Sequence, residues 1–310
     1  MVSYMDSKII KILQKSGTIN NKTHKFAKKF IKPDLSIYEI GTKIDDYIIE
    51  QGGFPAWPVN LSVNNQAAHN SYGKDNDYKL DENDVLKVDI GVSIDGYITD
   101  ASQTIIFNKN HEKLRECTFK ALESSKKYLE ENYKTAKISK IGEIIEDKIK
   151  SYGYKPISNL TGHYIDRYKT HDFPSIPNIL SDLDYKFSEF DKAFAIEPFA
   201  SDGNGFVSEG EKIYIFEFVE DRAIRNQGAR QILEEIKKFN GMPFSESWVG
   251  KDLSEFNRKI ALRELLRSEI ISGYPVLLDK KGCFVSQWED TFIIDLKEGL
   301  LDLVNINELF

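Results

Sequence analysis

Residues Asp84 to Thr104 read DVLKVDIGVSIDGYITDASQT, and the fold turns on this stretch. Leu86, Val88 and Ile90 alternate with Val85, Lys87 and Asp89, the period of two that a half-buried β-strand requires. Ser93-Ile94-Asp95-Gly96 then carries an Asp-Gly turn signal, because a tight hairpin turn needs positive φ at its central residues. A second strand runs from Tyr97 to about Thr104 and holds Asp100. With an even number of loop residues, side-chain parity puts Asp89 and Asp100 on the same face, directly opposite or one diagonal apart. Two carboxylates that close repel, and each raises the other's pKa unless a cation lies between them. The hairpin is therefore either a solvated acidic edge or half of a metal site.

The chain has 310 residues, enough for one large α/β domain or a domain with an insertion. Apolar residues at 41% and aromatics at 12% supply a well-buried core. A net charge of −7 argues against a general nucleic-acid surface, which needs clustered Lys and Arg, so no nucleic-acid partner is expected. No run of about 18 apolar residues offers a membrane span, and MVSYMDSKII lacks the basic-then-apolar pattern of a signal peptide. Cys117 and Cys283 are far apart and fit no zinc spacing. The expectation is a soluble, reduced, cytoplasmic monomer that does not engage membranes.

Around the hairpin, residues 4–15 and 21–31 read as two amphipathic helices, and Ser36 caps a third over 37–51 before Gly52-Gly53. Residues 54–70, FPAWPVNLSVNNQAAHN, form a loop into a short strand that carries His69; 72–81 is a polar surface loop. Long helices are expected at 111–132 and 138–153, the second with Ile141, Ile144, Ile145 and Ile149 at helical spacing. Strands follow at 193–199, holding Glu197, and at 212–219. From 222 to 272 the pattern changes to helices at 229–238 and 253–271 around an irregular piece, with almost no strand signal. That region reads as a helical subdomain inserted into a catalytic domain made of 1–221 and 273–310. Strands resume at 275–278, 283–288 and 291–294.

Three later segments change the meaning of the hairpin: Leu160-Thr-Gly-His163, Ala195-Ile-Glu197-Pro-Phe-Ala200 and Ser286-Gln-Trp-Glu289-Asp-Thr291. With it they give Asp89, Asp100, His163, Glu197 and Glu289, in the chain order of the metal ligands of the methionine aminopeptidases, which the chain resembles from about Ile40 onward. His163-Tyr-Ile-Asp-Arg-Tyr-Lys-Thr-His171, followed by Ile176-Pro177-Asn178, is similar to the type 2 enzymes, and the position of the helical insertion matches that type. The resemblance implies an α+β pita-bread fold, shared with prolidase and aminopeptidase P, whose pseudo-twofold mixed sheet is covered by helices. It implies two divalent metal ions (Co, Mn, Fe or Zn), with Asp100 and Glu289 bridging them, Asp89 chelating one, and His163 with Glu197 completing the other. Such an oxygen-rich set without thiolates suits these ions, which lower the pKa of a bridging water. By the same resemblance Glu197 shuttles the proton, and His69 and His171 hold the scissile amide and its tetrahedral intermediate. Phe54, His171 and Tyr274, with Thr170 beside the second histidine, line a methionine pocket. The implied activity removes the initiator methionine from nascent chains near the ribosome when the second residue is small.

Each residue also has a plainer reading. Asp89 alone is a strand-face acid, and Phe54 and Tyr274 are candidates for core; Glu197, between Ile196 and Pro198 in an apolar run, already needs a partner or an ion. His24 and His111 are left as ordinary surface histidines. Three positions depart from the family pattern: Thr170 where Ile or Leu is usual, Asp290 where a His commonly follows the last Glu, and Asn70-Ser71-Tyr72 after His69. X-Pro peptidases share the five-ligand site but usually carry a large extra N-terminal domain, whereas about 80 residues precede this hairpin. Non-catalytic pita-bread binding proteins lose ligands that this chain keeps. Because the chain begins Met1-Val2, its own first methionine is an expected substrate.

Overall fold

The structure is a computed structural model and describes residues 5–310, so the expectation for Met1-Val2 lies outside the described residues. α1 (Ser7–Phe30) is one continuous helix where the sequence suggests two. Asp6 caps it by accepting from the Lys8 backbone N–H at 2.8 Å. Gly17 continues the helix rather than breaking it, because its bare face lets the Leu303 backbone approach; a Cβ there would lie 1.9 Å from Leu303 O. The inward face of α1 repeats every three or four residues through Leu13, Ser16, Asn20, His24 and Ala27. His24 belongs to that face and is fully buried, not on the surface. Its Nε2–H donates to Ala101 O at 3.0 Å, and its Nδ1 accepts from Gln103 Nε2 at 3.0 Å. Burial pushes its pKa down to about 3, so the ring is neutral.

α2 (Ile37–Glu50) opens with a reciprocal capping box between Ser36 and Glu39. The segment read as a loop and one strand contains three short ones, β1 (Phe54–Pro55), β2 (Asn60–Val63) and β3 (Gln66–Ala68). β4 (Val85–Ile94) and β5 (Tyr97–Ile106) form the hairpin, turning at Asp95 and Gly96 with φ of 52° and 84°. Asp89 pairs with Ser102 and Asp100 with Gly91, so the two carboxylates stand one diagonal apart on one face. The opposite face, Leu86, Val88, Ile90 and Val92, packs on Ile40, Ile44 and Ile48 of α2.

α3 (Glu112–Asn132) and α4 (Ile138–Ser151) follow, then β6 (Lys155–Pro156), β7 (Thr161–Asp166), β8 (Lys169–Pro177), β9 (Ala193–Ile196), β10 (Phe199–Ser201) and β11 (Ser208–Phe218). The strand expected over 193–199 is interrupted at Glu197-Pro198, where proline has no N–H for a ladder. The chain ends with α5 (Gln227–Ile236), β12 (Phe244–Ser245), α6 (Glu255–Arg267), β13 (Ile271–Leu278), β14 (Val285–Gln287), β15 (Asp290–Asp295) and β16 (Gly299–Asp302). The pairings are antiparallel, in the orders β16-β15-β9-β7-β8, β14-β10-β6, β12-β11-β13-β3, and β1-β4-β2 with β5 beside β4. A bridge between Ser102 and Glu289 ties the hairpin to the last part of the chain.

Residues 222–272 are not free of strand: β12 pairs with β11, and β13 already begins at Ile271. α5 and α6 close an apolar cluster of their own on β11 and β13, built from Ile232, Leu233, Leu262, Leu265, Phe216 and Ile271. Trp248 Nε1 in this segment donates to Tyr72 OH at 2.8 Å, and Tyr72 OH in turn donates to Asp45 of α2. Burial pushes the Asp45 carboxyl up to about 7. Among the described residues, no helix is long and apolar enough to cross a membrane.

Candidate metal centre

The two halves of the chain converge on one cleft of about 310 Å³. Asp89 projects from β4, Asp100 from β5 and His163 from β7. Glu197 occupies the interruption between β9 and β10, and Glu289 that between β14 and β15. The two interruptions lie opposite each other, with Ile196 paired to Asp290 on one side and Trp288 N donating to Pro198 O at 3.3 Å on the other. β7 approaches β9 closely through Gly162, where a Cβ would lie 2.4 Å from Ala195 O. His163 Nε2 is 3.4 Å from Asp100 Oδ2 and 3.8 Å from Glu197 Oε1. Ligand atoms of Asp100, His163 and Glu289 all lie within 4.8 Å of one another.

Burial drives the carboxyl groups away from their ordinary acidity. It pushes Asp100 up to about 8 and holds Asp89, Glu197 and Glu289 well above the usual carboxylate range, with repulsion from neighbouring carboxylates adding to the last three. His163 Nδ1–H donates to Tyr164 O at 3.2 Å, which leaves the Nε2 lone pair toward the acids. Burial lowers its pKa to about 4, so the ring is neutral. Asp89 Oδ1, Asp100 Oδ1 and Glu289 Oε1 are buried without a hydrogen-bond donor. Native interiors rarely leave such atoms unpaired. Orphaned oxygens beside a neutral imidazole nitrogen form a donor set that borderline divalent ions accept. The residues fit the metal.

A second layer of polar groups orients these candidate ligands, and sequence reading missed it. Asn60 Nδ2 donates to Asp89 Oδ2 at 3.1 Å. Thr291 Oγ1 accepts from the Asp100 N–H at 2.7 Å and donates to the Asp100 carbonyl at 2.6 Å. Gln287 spans the two interruptions: its Nε2 donates to Glu289 Oε2 at 3.1 Å and Glu197 Oε2 at 3.3 Å, while Ser102 Oγ donates to its Oε1 at 3.0 Å. Its signal was local, because a residue two positions before Glu289 in an extended segment shares its face. Asn60 had none, since its partner lies on another strand. Replacing Gln287 by Ala is expected to weaken divalent-metal affinity by roughly 10- to 100-fold, the usual effect of removing an orienting partner. Calorimetric titration of metal into the variant measures this, and wild-type affinity would show that the amide orients nothing.

The other side of the cleft carries the histidines. His69 follows β3 in the left-handed region, φ 65°, and its Nδ1–H donates to Pro275 O at 3.2 Å. Burial, then the nearby His171, lowers its pKa to about 4. The His171 ring stands 4.4 Å from that of His163 at 75°, and Thr170 Oγ1 is 3.5 Å from His171 Nδ1. Tyr274 meets His69 edge-on at 5.3 Å; its hydroxyl donates to Glu217, whose other oxygen accepts from Ser272 Oγ at 2.9 Å. Thr170 and Tyr274 both line the cleft. Phe54 does not. Pairing of β1 with β4 carries it into a cluster with Phe239 and Trp248, at 5.9 and 5.8 Å, and Trp57 is the aromatic of that segment that reaches the cleft.

The departures after His69 and Glu289 have structural partners. Asp290 is buried, and its carboxylate accepts from Thr291 N at 2.7 Å and Ile306 N at 2.8 Å, anchoring the last turn of the chain. Asn70 Nδ2 donates to Leu61 O at 2.5 Å and Ser71 Oγ to Val59 O at 2.8 Å.

Fold and site define a metal-dependent hydrolase of the α+β pita-bread class. Residues 11–294 match Metallopeptidase family M24. The chain is 42% identical to the methionine aminopeptidase of Thermococcus onnurineus over 289 residues, 93% of this chain and 96% of that protein. Among solved structures it is similar to a thermophilic Arx1, with a TM-score of 0.79 at 19% identity over 96% of this chain and 91% of the other. It is also similar to the methionine aminopeptidase of Rickettsia prowazekii, with a TM-score of 0.68 at 17% identity over 98% of this chain and all of the other (100%). The chain belongs to metallopeptidase family M24 and, within it, to the methionine aminopeptidases, metalloaminopeptidases whose cofactors are divalent metal ions.

Proposed function

We propose that this protein removes the N-terminal methionine from proteins and peptides whose second residue is small, as a type 2 enzyme acting in the cytoplasm on chains emerging from the ribosome. The observation that carries this reading is the meeting of Asp89, Asp100, His163, Glu197 and Glu289 with His69 and His171 around one cleft. The five ligands would hold two divalent ions, which supply Lewis acidity and a water of lowered pKa. Glu197 would take the proton that the attacking water gives up and pass it to the departing amine. Neutral His69, with Nδ1–H committed to Pro275 O, offers Nε2 as acceptor for the scissile amide N–H. His171 faces the same space from β8 and stabilises the tetrahedral intermediate. Tyr274, Trp57, Thr170 and Leu277 enclose the methionine side chain. The enzyme works as a monomer.

Metal-reconstituted protein offered Met-Ala-Ser and Ala-Pro-Ser, each with and without chelator, tests the reading. Chelator-sensitive release of methionine from the first peptide alone is the expected result. Cleavage of the proline peptide would make the chain an X-Pro peptidase, and cleavage of neither, across Co, Mn, Fe and Zn, would make it a binding protein. Thr170 brings a finer prediction. Thr170→Ile is expected to tighten methionine-like inhibitors by about 1 kcal/mol, roughly fivefold, through added apolar contact. Inhibition constants that do not move would place the Thr170 side chain outside the methionine subsite.

A further inference from the structure

α1 carries a charge pattern that the site does not use. Between Ser7 and Phe30 the chain has seven lysines and no Asp or Glu, in a protein of net charge −7. Lys8, Lys15, Lys22 and Lys29 recur every seven residues, and Lys11 and Lys25, fourteen residues apart, form a second column. A seven-residue interval returns to nearly the same side of a helix, so the columns make one stripe along a rod about 36 Å long. These six lysines are exposed, opposite the face that α1 buries against the hairpin, while the seventh, Lys28, stands off the stripe and donates to Leu309 O. Lys25 meets Glu308 at 3.4 Å; among the described residues Lys8, Lys11, Lys15, Lys22 and Lys29 have no carboxylate within ion-pair distance.

We propose that this stripe docks the protein on the phosphodiester backbone of structured RNA. The expectation of no nucleic-acid partner rested on the overall charge, which averages away a segregation that only the positions reveal. Lysines alone, as flexible point charges, suit phosphates and read no bases. An anionic membrane is the poorer partner, because the apolar residues of α1 are buried or half-buried and none stands fully exposed among the lysines to insert among lipids. The groove between α1 and α2, which Lys29 and Lys32 share with Glu39, Asp46 and Glu50, is mixed in charge and borders the proposed surface at the C-terminal end of α1. The choice of RNA rests on the proposed function, since polypeptide N-termini are first exposed beside RNA.

The test is fluorescence anisotropy of a labelled 20-base-pair RNA duplex with the metal-loaded full chain, from about 50 to 200 mM salt. Contact with about five phosphates predicts an affinity loss of roughly 10²- to 10³-fold across that range. Substituting Lys8, Lys15, Lys22 and Lys29 together by Gln is expected to cut affinity at least tenfold and to flatten the salt slope by about four. The same charge change elsewhere, at Lys109, Lys127, Lys134 and Lys280, is expected to leave the slope nearly intact. Methionine release from Met-Ala-Ser by both variants is expected to match wild type, which separates docking from catalysis. Lys15→Gln and Lys22→Gln alone, each flattening the slope by about one, serve if the fourfold variant folds poorly. No RNA binding at low salt, equal losses in both fourfold variants, or binding to phosphatidylserine vesicles in place of RNA would each overturn the proposal.

Discussion

Replacing Glu197 by Gln will lower kcat for Met-Ala-Ser by roughly 10²- to 10⁴-fold, the range for losing a positioned proton-transfer group, and will leave KM much less affected. The substitution keeps size, and the amide oxygen can still accept from Gln287 Nε2, which now lies 3.3 Å from Glu197 Oε2. What disappears is a carboxyl whose burial and acidic neighbours Asp100 and Asp89 hold its proton far more tightly than usual. Because Glu197 is also a proposed metal ligand, the metal content of the variant has to be measured beside its rate. A rate that recovers fully when metal is added in excess would reduce Glu197 to a ligand. A kcat within tenfold of wild type at equal metal content would remove it from proton transfer altogether.

Stripping the metal will destabilise the protein, and the loss will grow as pH rises from about 6.5 to 8.5. Carboxyl groups of the unfolded chain titrate near pH 4, whereas in the metal-free fold Asp100 keeps its proton up to about 8 and Asp89, Glu197 and Glu289 are raised in the same direction. Folded-state pKa values above the unfolded ones mean that the fold binds more protons through this interval. The stability tied to those protons is fully present below about pH 4 and is lost as pH rises through the folded values. Each such group costs about 1.4 kcal/mol per pH unit over its window, and about 1 kcal/mol moves the melting temperature of a chain this size by roughly 2 °C. Bound cations neutralise the same carboxylates and abolish the dependence. Histidines buried neutral in the fold, His24, His69 and His163, add a dependence of opposite sign near pH 6.5 as the unfolded chain releases its protons. The unfolded chain is common to the curves with and without metal, so their comparison isolates the carboxyl groups. Melting curves with and without chelator at both pH values are expected to diverge by at least about 3 °C more at the higher one. Parallel curves would mean that the acids are not a dehydrated cluster.

Much of this protein is local and therefore readable in order along the chain. Alternation from Val85 to Ile94 and the Asp95-Gly96 turn determine that Asp89 and Asp100 share a face, because the pleat has a period of two. Ser36 and Glu39 determine where α2 starts, because their partners are each other. The lysine columns of α1 were equally legible, but a single net charge hides where charges stand. The tertiary structure decided the rest, wherever a residue's meaning depends on a partner far along the chain. Gly17 continues a helix because Leu303 presses against it, and His24 is interior because Ala101 and Gln103 receive it. Phe54 leaves the cleft for Phe239 and Trp248 in the helical segment, which no period in its own neighbourhood announces. Gln287 becomes a clamp only when closure of the sheets brings Glu197 within reach of the strand that carries Glu289. The sequence by itself determined which residues share a face and hence which acids are available to a metal. Folding alone decided which faces meet and how dry they become, because burial and the pKa shifts it causes are properties of the assembled interior.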